Sequence, residues 1–145
     1  MRVQKNIFTM AFVRNAVLSL LLLLSSWTLR AQYDTDHFFF RGQLALNEGR
    51  YLDALNSFSI IIRIDDSLYE AYFFRGMAKY NLGDFGGAES DFDKAIELNP
   101  VYTLAYHYRA ITLSRMGEYD RALEDLRRAI DLRPSYYGLY FSRGV

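Results

Sequence analysis

The five residues Tyr72-Phe73-Phe74-Arg75-Gly76 recur along the chain at a constant interval. Phe38-Phe39-Phe40-Arg41-Gly42 lies 34 residues earlier, Tyr106-His107-Tyr108-Arg109-Ala110 lies 34 later, and Tyr140-Phe141-Ser142-Arg143-Gly144 follows after another 34. A fixed period of this length marks stacked structural units, each too small to bury its apolar face alone.

Working outward, three units fit without gaps at 35–68, 69–102 and 103–136, and a fourth begins at 137 and runs to 145. Each unit predicts two amphipathic helices. In the second unit Tyr72, Gly76 and Tyr80 share one face of the first helix, and Ala88, Phe92 and Ala95 share one face of the second. Gly49, Gly83 and Gly117 stand where the first helix of each unit should stop, since glycine takes the left-handed conformation that closes a helix C-terminus. Tyr51, Phe85 and Tyr119 follow two residues later. Pro100 and Pro134 end the second helix in two units, because proline cannot continue it. Asp66 holds the matching place in the first unit.

With these positions the chain resembles the tetratricopeptide repeat family. The aromatic of that family's first helix matches Phe38, Tyr72, Tyr106 and Tyr140. Its glycine matches Gly42, Gly76 and Gly144, with Ala110 in the third unit. Its second helix matches Ala54, Ala88 and Ala122, then Phe58, Phe92 and Leu126, then Ile61, Ala95 and Ala129. The resemblance implies an all-α solenoid of helix-turn-helix units wound as a right-handed superhelix, with three full repeats and a partial fourth. It departs from the family at Arg41, Arg75, Arg109 and Arg143, which occupy a site usually held by leucine. Asp91 and Asp125 on the second helices are the expected partners of such arginines, with Ser57 at the equivalent place in the first unit. A half-buried arginine needs an acid, and the repeat supplies one at the same interval.

In the family the first helix of each unit lines the inside of the stack. Carried over, this gives a groove of Phe39, Gln43 and Asn47, then Phe73, Met77, Tyr80 and Asn81, then His107, Ile111 and Arg115, with Phe141 continuing the row. Phe39-Gln43-Asn47 and Phe73-Met77-Asn81 each form one helical stripe on spacing alone. An aromatic stripe with an amide rim suits a peptide with apolar anchors. The competing view of the same stripe is that Phe39 and Phe73 fill space between helices. Some family members hold C-terminal carboxylates with a clamp of lysine, arginine and asparagine. The corresponding places here are Phe39, Gln43, Phe74, Leu104 and Tyr108, so the resemblance does not extend to that clamp.

The remaining chemistry is sparse. Cysteine is absent, and His37 and His107 have no companions at ligand spacing, so no metal site is expected. The glycine-rich turn Gly83-Gly86-Gly87 lacks the lysine and hydroxyl of a phosphate loop. No cofactor and no catalytic group is implied. Net charge is zero, yet four of the seventeen basic residues fall in 1–31, which holds no acid, leaving thirteen against seventeen acids in 32–145. A mildly acidic body offers no footprint for nucleic acid.

Residues 1–31 predict a signal peptide or signal anchor. Arg2, Lys5 and Arg14 precede an apolar run from Ala16 to Leu24, which is the order of an export signal. That run is far shorter than the roughly 20 residues that span a bilayer. The expectation is therefore an exported protein, periplasmic or secreted and bacterial in style, with membrane contact only through an uncleaved N-terminus. Its role would be to bind a protein or peptide partner. The alternative drawn from the apolar fourth unit is a targeting or regulatory front end of a longer enzyme or sensor.

Overall fold

A computed structural model describes the backbone of residues 2–134 and the side chains of 15–26 and 34–134. Six helices are present among the described residues: α1 (Arg2–Asn47), α2 (Tyr51–Ile64), α3 (Tyr69–Asn81), α4 (Phe85–Leu98), α5 (Thr103–Met116) and α6 (Tyr119–Leu132). The chain forms two compact units, residues 1–37 and 38–145. The expected fourth repeat, with Tyr140, Phe141, Arg143 and Gly144, lies outside the described residues.

In the first unit Val17, Leu18 and Leu20 to Leu24 are each half exposed or more. Ser19 and Ser26 turn their hydroxyls back onto the carbonyls of Asn15 and Leu23, at 2.9 and 2.8 Å. Among the described residues, no helix is long and apolar enough to cross a membrane.

In the second unit the helices pair within repeats: the end of α1 with α2, α3 with α4, and α5 with α6. The turns use glycine as the sequence predicts. Gly49, Gly83 and Gly117 have φ of 74°, 83° and 84°, a conformation costly for residues with a Cβ. At the helix crossings the small residue is required by a ring. A Cβ added at Gly42 would lie 2.6 Å from Phe58 Cζ, and one at Gly76 would lie 2.7 Å from Phe92 Cε1. Both phenylalanines are fully buried. The third repeat meets the same need by a different division of volume: Ala110 sits in one core cluster with Leu126.

The arginines at the leucine site tie the two helices of a repeat together. Arg75 donates to both oxygens of Asp91, at 2.8 and 2.6 Å, and Lys79 Nζ adds a third contact at 2.8 Å. Arg109 makes the same fork on Asp125, at 2.7 and 2.6 Å, and also reaches Asp93 of the preceding repeat at 2.6 Å. Asp125 and Asp93 hold the Arg109 guanidinium above its ordinary pKa against the cost of its burial. Among the described residues the first repeat has no such clasp. Ser57 donates instead to the Asp53 carbonyl, and Arg41 is exposed, its guanidinium 6.0 Å from the Phe38 ring centroid.

Candidate functional site

Heptad-like spacing on the first helix of each repeat brings a set of side chains to one cleft of ≈ 430 Å³. The last turns of α1 supply Gln43, Leu46 and Asn47. Helix α2 supplies its first residue, Tyr51, and α3 supplies Phe74, Met77 and Asn81. The cleft therefore spans the junction of the first and second repeats. Its lining contains no charged side chain. Asn81 donates to the Met77 carbonyl at 2.8 Å, which leaves its amide oxygen to act as an acceptor. The side-chain amides of Gln43 and Asn47 make no hydrogen bond among the described residues.

A floor of aromatic rings holds this wall in place. Phe74 stands edge-on to Phe39 at 5.4 Å, stacks with Phe58 at 5.5 Å and meets Phe73 edge-on at 5.1 Å. Such pairs favour these geometries because the ring face is negative and the edge positive. The cleft's shape thus depends on rings that are themselves packed between helices.

Of the groove residues expected from the sequence, Gln43, Asn47, Met77 and Asn81 line the cleft. Phe39 is half-buried and lies behind it, edge-on to Phe58 at 5.7 Å. The placement of Phe73 in an open groove is corrected: it is 2% exposed and surrounded by Phe74, Phe92, Tyr102 and Tyr108. Its ring joins the core between the second and third repeats, as the space-filling view of the stripe holds. Its loss would therefore damage folding as well as any surface. The neighbouring ring that reaches the cleft is the half-buried Phe74. Two adjacent phenylalanines on a helix cannot be assigned to core and cleft by spacing alone. Tyr51 was missed because it comes from a second helix. Its recurrence with Phe85 and Tyr119 after each turn glycine was the available signal.

The remaining predicted residues lie one repeat further along. Shifting the cleft residues by 34 gives Met77, Tyr80, Asn81, Phe85, Tyr108, Ile111 and Arg115. Tyr80 is half-buried against Phe85, with ring centroids 5.4 Å apart. Arg115 lies over the same Phe85 ring, 5.9 Å from its centroid. His107 and Ile111 are half-buried, and burial pushes the His107 imidazole below its ordinary pKa. The neutral amide of Asn81 in the first set is thus replaced by a guanidinium in the second. Phe141 lies outside the described residues.

A second cavity, ≈ 570 Å³, has a different character. It is lined mainly by Asp93, Arg109, Arg121, Glu124, Asp125 and Arg128, and two of its arginines are engaged with acids. Arg109 is bound to Asp125 and Asp93, and Arg121 to Glu118 and Glu89. Among the described residues no group of three or more histidine, aspartate or glutamate side chains could hold a metal ion.

The Tetratricopeptide repeat family profile matches residues 69–102 and 103–136. These are the second and third units drawn from the 34-residue period, with the same bounds. A comparison with curated protein sequences found no match. Among solved structures the chain is similar to MamA, with 27% identity and a TM-score of 0.69 over 73% of this chain and 62% of that one. It therefore spans less than two thirds of MamA. It is also similar to the first tetratricopeptide domain of Spaghetti (RPAP3), a structure with a bound HSP90 peptide, at 25% identity and a TM-score of 0.69, covering 70% and 81% of the two chains. A tetratricopeptide domain of yeast Sti1, in complex with an Hsp70 peptide, shares the fold at 22% identity and a TM-score of 0.70, covering 76% and 91%. Together with the helix pairs, turn glycines and small-to-large crossings of residues 38–134, these matches show tetratricopeptide repeats at 69–102 and 103–136, in a fold shared with solved tetratricopeptide structures.

Proposed function

We propose that this chain is an exported interaction scaffold that holds a peptide segment of a partner protein in the cleft between its first two repeats. The observation that carries this is the convergence of Gln43, Asn47, Met77 and Asn81, from two helices of equivalent position, on one concave site with Tyr51 and Phe74. Apolar walls with a few convergent polar groups are what ligand sites of this size share. The peptide complex of the RPAP3 domain supports the choice of a peptide as occupant. The role is capture and positioning, with no chemistry on the bound segment. Export rests on the basic residues ahead of the apolar run in 1–31.

A photo-crosslinking amino acid placed at Gln43 in the producing cells tests both parts. The expected result is a discrete adduct with a partner, recovered from the exported fraction, that is missing when the crosslinker is moved to the exposed Leu123 on α6. Equal labelling from both positions would refute the cleft. An adduct confined to the cytosol would refute export.

A further inference from the structure

The lining of the cleft specifies the kind of peptide it takes. Seven side chains form it: three amides, one phenol and three apolar groups. Elsewhere in residues 38–134 charged side chains are common and often paired, as at Asp91, Asp125, Glu89 and Arg50. The lining of this cleft is thus uncharged on a surface rich in charge. A carboxylate entering it would lose water and meet no cation, which is strongly unfavourable. An ammonium or guanidinium would equally meet no acid. An amide side chain both donates and accepts, so it matches the paired N–H and C=O of a peptide backbone, whereas lysine or arginine could only donate. Leu46, Phe74 and Met77 leave an apolar wall for one side chain of the bound segment.

We infer that the cleft, taken as the binding site proposed above, is selective for an uncharged stretch of peptide. One apolar side chain of that stretch packs against Leu46, Phe74 and Met77, and its backbone bonds to the amides of Gln43, Asn47 and Asn81. No terminal carboxylate is required. The selectivity ends one repeat further on, where Arg115 stands at the place equivalent to Asn81.

The test is selection of random heptapeptides displayed without a free C-terminus, on the full chain and on two variants. Met77→Arg fills the cleft and adds a charge, and Asn47→Ala with Asn81→Ala removes two amides without filling it. Circular dichroism confirms that each variant keeps the helicity of the parent. Peptides that bind the parent and are lost with either variant depend on the cleft. Among these, Asp and Glu next to the apolar anchor should fall about tenfold below their frequency in the unselected pool, the size of effect that a modest desolvation penalty produces. Cleft-dependent peptides with acids at their starting frequency would overturn the inference and leave peptide capture standing. Cleft-dependent binding by the acidic peptide SRMEEVD, lost on amidation of its C-terminus, would do the same. Finding no peptide that depends on the cleft would overturn the groove itself, and the inference with it.

Discussion

The crossing of α3 and α4 offers a stringent test, because the third repeat already contains a second solution to the same packing problem. Gly76 faces the fully buried Phe92, and a Cβ there would sit 2.7 Å from the ring. Gly76→Ala must displace the ring or the helices. Overpacking of this kind costs about 1–3 kcal/mol, offset by up to about 1 kcal/mol because alanine favours a helix over glycine. Phe92→Leu alone opens a void in the core cluster, which we expect to cost about 1–3 kcal/mol, below the range for removing a whole phenylalanine side chain. The double variant reproduces Ala110 with Leu126, so each change relieves the other. The expected coupling is about 1–2 kcal/mol, within the range for residues in direct contact. Urea denaturation followed by far-ultraviolet circular dichroism, on the parent, both single variants and the double, closes the cycle. If the two single costs add to within about 0.5 kcal/mol in the double variant, the sites are independent and the volume-exchange argument is wrong.

Two further outcomes follow from the electrostatics. Asp91→Asn should destabilise the chain by about 3–5 kcal/mol, because it leaves Arg75 and Lys79 without their shared acid in a half-buried site, whereas Glu118→Gln, which alters a pair on the surface, should cost under about 1 kcal/mol; equal denaturation midpoints would refute the structural weight given to the first. Burial, followed by nearby Tyr69 and Glu70, pushes the Tyr102 phenol up to about 12 from 10.0; its neutral form is the one the fold favours, so stability is unchanged below pH 10 and falls between there and about 12 as the unfolded chain ionises first. Tyr102→Phe should flatten that alkaline slope, and an unaltered slope would place its cause elsewhere.

Most of the architecture could be read from spacing because repetition turns weak local signals into a register. Gly49, Gly83 and Gly117 each adopt the left-handed backbone their position implied, and the arginine-to-aspartate pairing at Arg75 and Arg109 followed from a charge with no other way to be buried. The site was less legible. Gln43, Asn47, Met77 and Asn81 come together as one helical stripe repeated, but the division of labour between Phe73 and Phe74 depends on how far two helices rotate about their axes, which periodicity fixes too loosely. Arg109 reaching across to Asp93 was equally out of view, since an inter-repeat bond needs the packing distance between units. Gly86 and Gly87 carry the entropic cost of glycine in the first turn of α4. Their cost is partly met by Asp84, whose carboxylate accepts the Gly87 N–H at 2.9 Å.

Aromatic rings pack both junctions of the stack, and the later one adds ion pairs between repeats. Between the second and third repeats, Asp93 binds Arg109 and Glu89 binds Arg121. The corresponding places one repeat earlier are Ser59 with Arg75 and Leu55 with Gly87, and the packing there is led by the rings of Phe39, Phe58 and Phe74. Ionic strength therefore acts on one junction and cold on both. Salt screens exposed ion pairs and loosens the later junction, while cooling weakens the apolar burial that the two share. The cleft spans the earlier junction, so its grip should hold in brine and slacken on ice.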